Sequence, residues 1–274
     1  MLPEVSLTAF GVAAARAAET ARADRLFADP FAAGFVRAAG STRWADDLGE
    51  GRRAALVAWI NVRTRFLDDL LLEACAGGAR QVVILGAGLD ARAFRLAWPE
   101  AVRLFELDLK GVLEFKHAVI EAEGWQPACV RISVPVDLSE DWSGPLLRAG
   151  FASGSAVVWI AEGLLAYLSP TTSDSLVVRA AELSPPGSRL GLTLASARRL
   201  NSWREAHREA PDGPEDYLAL FRSAHAEQAV EWLGSHGWQA KLFDVAERSA
   251  AYGRPLGQDI AGGNAARLVD AERR

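Results

Sequence analysis

Residues 82–94 read VVILGAGLDARAF, and the types and spacing in this segment are suited to holding a nucleotide-like ligand. An apolar run ends at Gly86-Ala87-Gly88, and a helical stretch follows. Glycines at such a turn let the backbone reverse sharply and let a ligand approach closely. The N–H groups opening the next helix are then expected to face that ligand. Asp108 lies near the end of the following apolar run, about 20 residues on, where a carboxylate suits ribose hydroxyls.

Ala91 completes a Gly-x-Gly-x-x-Ala pattern, which meets the relaxed dinucleotide fingerprint. The turn and Asp108 therefore leave nicotinamide dinucleotides and S-adenosylmethionine both open. Asp90 bears on the choice. A pyrophosphate beside its carboxylate would be repelled, whereas the ammonium and sulfonium of S-adenosylmethionine tolerate or favour it. The alternative for Asp90 is a plain helix N-cap.

The elements that must position these residues follow from hydrophobic pattern. Short apolar runs at 81–85, 102–107, 130–136, 156–161 and 189–195 read as buried parallel strands. Helical stretches at 89–96, 110–123, 142–149 and 170–183 alternate with them, and 238–245 and 266–270 read as two final strands. The alternation implies βαβ units and a doubly wound α/β sheet. Residues 9–23, 31–39 and 52–76 read as helices, the last ended by Gly77-Gly78. One domain is expected, with residues 1–78 as a helical N-terminal cap and lead-in helix and 79–274 as the core. The cap is rich in apolar residues, Phe10, Phe27, Phe35 and Trp59 among them, so it is expected to pack on the sheet and roof the site.

Four motifs occur in order along most of the chain: VRTRFLDDLLLEACAGGARQVVILGAGLDARAFRL, FELDLKGVLEFK, VDLSEDW and AEGLLAYLSP. With SLTAFGVAAARAAETARADRLFADPFA before them and YGRP after, the sequence resembles the leucine carboxyl methyltransferase family. It is most similar to the bacterial branch that includes carboxyl O-methyltransferases of polyketide pathways. The resemblance implies a class I methyltransferase fold, a seven-stranded sheet whose last strand is antiparallel, and S-adenosylmethionine as cofactor. It also implies roles. Arg63 matches the arginine that holds the cofactor's methionine carboxylate, with Arg65 a weaker substitute. A guanidinium suits that role through two parallel hydrogen bonds. Gly86, Ala87, Gly88 and Asp90 form the cofactor turn. Asp108, followed by Leu109, matches the ribose-binding acid, with Glu106 its competitor on the same face of the strand. Asp137-Leu138 matches the adenine-pocket pair, and a turn role is the alternative for Asp137. Glu162 is expected near the cofactor's cationic end or the substrate entrance. Tyr167 is a candidate for the acceptor pocket.

Methyl transfer is an in-line displacement in which the protein holds acceptor and methyl aligned and dry. A carboxylate acceptor is ionised at neutral pH, while a hydroxyl benefits from a general base. His207 and His225 lie in the region of weakest resemblance, 184–237, and are the candidate bases. Trp44, Trp59 and Trp203 are candidates for an aromatic-acceptor pocket. The expected partner is a small, polyketide-like metabolite of secondary metabolism. The competing readings are a nicotinamide-dependent oxidoreductase and a non-catalytic S-adenosylmethionine-binding protein. The absence of a Tyr-x-x-x-Lys pair counts against the former.

Bulk properties narrow the field. A net charge of −5 over 274 residues argues against a nucleic-acid backbone as partner, without excluding a local basic patch. The two cysteines, Cys75 and Cys129, lack metal-ligand spacing and read as reduced thiols. No apolar run is long enough to span a membrane, and no signal peptide is legible in MLPEVSLTAF. No metal is expected, and a cytoplasmic location is.

Overall fold

The computed structural model describes residues 4–40, 50–197, 201, 222–256 and 266–274. Seven strands form one sheet in the order β3-β2-β1-β4-β5-β7-β6. They are β1 (Gln81–Leu85), β2 (Arg103–Asp108), β3 (Val130–Pro135), β4 (Val157–Ala161), β5 (Arg189–Leu194), β6 (Trp238–Asp244) and β7 (Arg267–Arg273). The first five pair in parallel, and β7 runs antiparallel to both β5 and β6. All seven expected strands are present, with ends shifted by a few residues. β7 extends to Arg273 because its polar second half still pairs in register with β5 and β6.

Every residue of β1 and β4 is buried, so these strands, Gln81 apart, read as continuous apolar runs. Alternation assigns their side chains to two layers. Val82, Ile84, Val158 and Ile160 belong to one core, and Val83, Leu85, Trp159 and Ala161 to the other. The first core is covered by α1 (Glu4–Thr20), α2 (Ala32–Ala38), α3 (Glu50–Ala76), α4 (Arg92–Arg95), α5 (Lys110–Glu123) and, through Val245, the later helix α9 (Val245–Ala251). The second is covered by α6 (Ser143–Arg148), α7 (Pro170–Glu182) and α8 (Ala229–Ser235).

The N-terminal helices pack on the first layer. Phe10 meets Phe115 edge-on at 5.3 Å, and Phe31 and Phe35 meet Trp125 at 4.9 and 5.2 Å. Glu19, buried at the end of α1, binds three segments. It accepts from Leu26 N–H (2.6 Å), Asn61 Nδ2 (2.8 Å) and Arg254 Nη1 (2.8 Å). Arg254 is the arginine of the YGRP motif, so that motif fastens α1 from the far end of the chain. Helix α1 starts and stops earlier than expected. Past Thr20, whose Oγ1 bonds both Arg16 O and Asp29 N–H, the chain leaves the helix. The expected helix 89–96 is only Arg92–Arg95, because Asp90 Oδ1 takes the Arg92 N–H at 2.7 Å and fixes the start there.

Candidate functional site

The sheet reverses its order between β1 and β4, and a crevice opens beyond the carboxyl ends of strands at such a switch point. A cavity of about 230 Å³ occupies it. Its floor is the turn after β1, where Gly86 and Gly88 have φ of +64° and +45°, backbone open to glycine at little cost. A Cβ on Gly86 would also stand 2.9 Å from Leu164 Cδ1. Asp108 and Leu109 at the end of β2, Glu162 and Gly163 after β4, and Thr193 and Leu194 of β5 continue the wall. Helix α3 adds Leu56, Trp59, Ile60 and Arg63, and α1 adds Thr8, Val12 and Arg16, four residues apart on one face.

Asp108 ties the turn together. Its Oδ2 accepts from Gly88 N–H at 2.6 Å and its Oδ1 from Leu109 N–H at 2.7 Å. Burial pushes its carboxyl up from the ordinary value, even against those two hydrogen bonds. Glu106 does not share the cavity. It is fully buried, with Lys116 Nζ at 2.9 Å and Arg131 Nη2 at 2.7 Å.

Glu162 stands at the centre of the ionic arrangement. Its Oε1 accepts from Arg63 Nε and Arg16 Nη2, each at 3.0 Å, and from Thr64 Oγ1 at 3.3 Å. Arg92 Nη1 lies 2.8 Å from Oε2. Burial works to raise the Glu162 carboxyl, but Arg16, Arg92 and Arg63 override it and hold it well below the usual range. Arg92, wholly buried, also pairs with Asp68 at 2.7 Å and with Asp90, and Arg95 pairs with Asp68 at 2.6 Å. The network joins α1, α3, the glycine turn and β4. Such pairs are costly to break singly, because the abandoned charge stays buried.

The expectation for Asp90 needs correction. It lines the cavity, but its charge is matched by Arg92, so it does not by itself repel a pyrophosphate. The turn's N–H groups also differ from expectation. Ala87 N–H donates to Leu107 O, Gly88 N–H to Asp108, Asp90 N–H to Ala87 O and Arg92 N–H to Asp90. These four are taken up within the protein; no such bond is made by the N–H groups of Leu89 and Ala91 among the described residues. Glu162 is in the wall as expected, but ringed by arginines.

Arg63 lies in the wall with only its Nε hydrogen-bonded among the described residues, leaving two Nη groups as donors. Burial lowers its affinity for the proton. Arg65 is turned elsewhere, bonded to Asp69 and to Leu26 O. Asp137 is exposed and its Oδ1 accepts from Ser139 N–H at 2.8 Å and Ser139 Oγ at 2.6 Å, an Asx turn; neither it nor Leu138 lines the cavity. Tyr167 and Trp59 do line it. Burial raises the Tyr167 phenol, which is hydrogen-bonded to Thr8. His225 is outside the wall, stacked on Trp232 at 4.3 Å, and burial lowers its pKa. His207, Trp44 and Trp203 fall outside the described residues.

Sequence reasoning missed Arg16 and the α1 face. The available signal was a lone arginine in the alanine run AAARAAE, where nothing on a solvated helix demands it. Among the described residues, no group of His, Cys, Asp and Glu could hold a metal ion, and no helix is long and apolar enough to cross a membrane.

The profile of the leucine carboxyl methyltransferase family matches residues 9–181. The chain belongs to that family. Similar proteins include one from Frankia alni, 46% identical over 91% of this chain and 87% of its own length. Another, from Streptomyces coelicolor, is 44% identical over 97% of this chain and 95% of its own. Both are named, provisionally, as S-adenosyl-L-methionine-dependent methyltransferases. Among solved structures, a DUF574 family protein from Streptomyces avermitilis superposes with a TM-score of 0.63 over 96% of this chain and 97% of that one, at 15% identity. A Thermobifida fusca protein, provisionally described as a methyltransferase, gives 0.59 over 96% and 94%, at 16% identity. These likenesses show the fold, which is the class I methyltransferase fold expected of a leucine carboxyl methyltransferase family member.

Proposed function

We propose that this leucine carboxyl methyltransferase family member is an S-adenosylmethionine-dependent O-methyltransferase of a small metabolite, acting on a carboxylate or hydroxyl. The cofactor is S-adenosylmethionine, which when bound supplies a methyl group activated on a sulfonium. One observation carries the reading: Arg63, with two uncommitted Nη donors, and the Asp108 carboxylate share one cavity whose floor is the Gly86–Gly88 turn. That donor set fits an amino-acid carboxylate at one end and a ribose diol at the other. Arg63 takes the carboxylate through a two-pronged pair, and the remaining lone pairs of Asp108 accept from ribose hydroxyls. Asp137 and Leu138 stand outside this assignment.

The turn supports this cofactor over a dinucleotide. A pyrophosphate needs free N–H groups at a helix start. Here the N–H groups of Ala87, Gly88, Asp90 and Arg92 are spent inside the protein, and the helix is four residues long. That arrangement favours S-adenosylmethionine over a dinucleotide.

The apolar stretch of wall, including Val12, Leu56, Trp59 and Leu164, suits an acceptor with a hydrophobic body, such as a polyketide-like acid. No histidine lies among the described lining residues, and Tyr167 is a phenol kept neutral by burial, able to orient an acceptor but poor as a base. A carboxylate acceptor, already ionised, asks for no base. The residues then exclude water and fix geometry.

The test is a binding and transfer experiment. S-adenosylhomocysteine is expected to raise the unfolding temperature, by about 2.7 kcal/mol of stabilisation at a hundredfold excess over Kd, and NAD(H) to leave it unchanged. Stabilisation by NAD(H) alone overturns the assignment. Labelled methyl transfer to a panel of hydrophobic acids and phenols then separates carboxylate from hydroxyl acceptors. An absence of transfer, despite binding, across an exhaustive panel favours the non-catalytic reading.

A further inference from the structure

Two arginines from different helices meet on one carboxylate oxygen in the cavity wall. Glu162 Oε1 accepts from Arg63 Nε of α3 and Arg16 Nη2 of α1, both at 3.0 Å, while Arg16 Nε donates to Thr64 Oγ1 at 3.3 Å. The second oxygen, Oε2, faces Arg92 Nη1 at 2.8 Å. An arginine beside a carboxylate ordinarily closes a two-pronged pair, Nε and one Nη on the two oxygens. Arg63 does not do so, because Arg16 and Arg92 occupy the positions that such closure would use. Its Nη groups are left for a ligand.

We propose that Arg16 is a positioning residue for Arg63: by holding Glu162 Oε1 from α1, it keeps Glu162 from capturing the Arg63 Nη donors, and so couples the docking of α1 to cofactor binding. The inference rests on the reading of Arg63 as the cofactor's carboxylate anchor. Its physical basis is competition for lone pairs. Without Arg16, Oε1 keeps Arg63 and one weak hydroxyl contact, and the carboxylate, held from then on by Arg92 on Oε2 alone, can turn toward the fork of Arg63. The donors that a ligand needs are then spent inside the protein. The contact between Thr8 and Tyr167 and the approach of Ala9 to Gly88, where an added Cβ would be 3.5 Å from that of Ala9, hold the same helix against the same wall.

Calorimetric titration of the full-length protein with S-adenosylhomocysteine tests this, using Arg16→Gln, Arg16→Lys, Arg63→Gln and the double variant Arg16→Gln/Arg63→Gln. Circular dichroism and thermal unfolding establish that each is folded. Arg16→Gln is expected to bind roughly tenfold more weakly. Arg16→Lys, which keeps the charge but cannot reach Glu162 and Thr64 together, is expected to lose about threefold. The decisive quantity is non-additivity: because Arg16 acts through Arg63, the double variant is expected to bind within about twofold of Arg63→Gln alone. Wild-type affinity in Arg16→Gln, or losses that multiply in the double variant, overturns the proposal. If Arg16→Gln does not fold, the same cycle is run with Arg16→Lys, and the same outcomes decide. A wild-type protein that does not bind S-adenosylhomocysteine defeats the functional reading itself, whereas wild-type binding with indifferent Arg16 variants defeats only this inference.

Discussion

A Cβ placed on Gly163 would stand 3.1 Å from Nη1 and 3.2 Å from Nη2 of Arg63, closer than a packed side chain normally tolerates. Gly163 also has a φ of +64° and donates its N–H to Thr193 Oγ1 at 2.7 Å. The glycine of AEGLLAYL is therefore required twice, by its backbone and by the guanidinium against it. Gly163→Ala is expected to cost about 1–2 kcal/mol of stability for the left-handed backbone. By displacing Arg63 it should also weaken S-adenosylhomocysteine binding roughly tenfold. Calorimetry beside thermal unfolding separates the two effects, and unchanged affinity would release Gly163 from the site.

Asp108→Asn removes the charge that organises the turn. An amide oxygen can accept from Gly88 or Leu109 but cannot replace both carboxylate oxygens. Cofactor affinity is expected to fall by about tenfold to a hundredfold. An affinity within error of wild type, measured by titration on the folded variant, would remove Asp108 from the ribose assignment.

Glu162→Gln leaves Arg16, Arg63 and Arg92 around a neutral amide, and the fold should lose about 3 kcal/mol at neutral pH. The pH dependence has a definite sign. The Glu162 carboxyl is held well below its ordinary value of 4.5, so its ionic stabilisation is fully present above that pH and is lost as the pH falls through the lowered value. The difference in unfolding temperature between wild type and variant should be constant from pH 7 to about 5 and shrink in more acidic buffer. A gap that widens on acidification would contradict the arrangement.

Burial raises the thiol of Cys75 to about 11 and that of Cys129 to about 12. Both should be overwhelmingly protonated near neutrality and slow toward alkylating agents, which react with the thiolate. Labelling followed by mass spectrometry should show both thiols reacting far faster in denaturant than in buffer. Rapid labelling of the folded protein at pH 7.5 would be the contrary result.

Deletion of residues 1–40 removes the α1 wall, with Thr8, Val12, Arg16 and Glu19. Turnover is expected to be lost and cofactor binding weakened, although Arg63 and Asp108 remain. A folded truncated protein that methylates at the full-length rate would show these helices to be dispensable.

The parts of this structure that were legible in the sequence are those governed by local pattern. Buried parallel strands such as Val82–Leu85 and Val157–Ala161 write their environment directly as unbroken apolar runs, and the turn at Gly86 follows from residue type. Arg63, Asp108 and Glu162 were found through motifs, and all three occupy the cavity wall. What escaped was pairing between distant positions. Nothing near Asp90 says whether its carboxylate faces a ligand or Arg92. The partner of Glu162 on α1 is 146 residues away in sequence, and leaves no periodic trace. Asp137 illustrates the converse: a short polar side chain after a strand is equally suited to a ligand and to a turn, and here its Oδ1 accepts from Ser139.

The position of β7 between β5 and β6 bears on how the molecule is made. Synthesis is vectorial, so β6 leaves the ribosome before the strand that will link it to the sheet. Until Arg267–Arg273 emerges, β5 keeps an open edge and β6 has no neighbour. The fastening of α1 also waits, because Glu19 is met by Arg254, made 235 residues after it. Domains fold as chain becomes available, at about 5–20 residues per second. The nascent chain therefore carries an open sheet edge and an unpaired strand for seconds, an interval in which chaperone occupancy should be highest and in which premature stop codons upstream of β7 should yield aggregation-prone products.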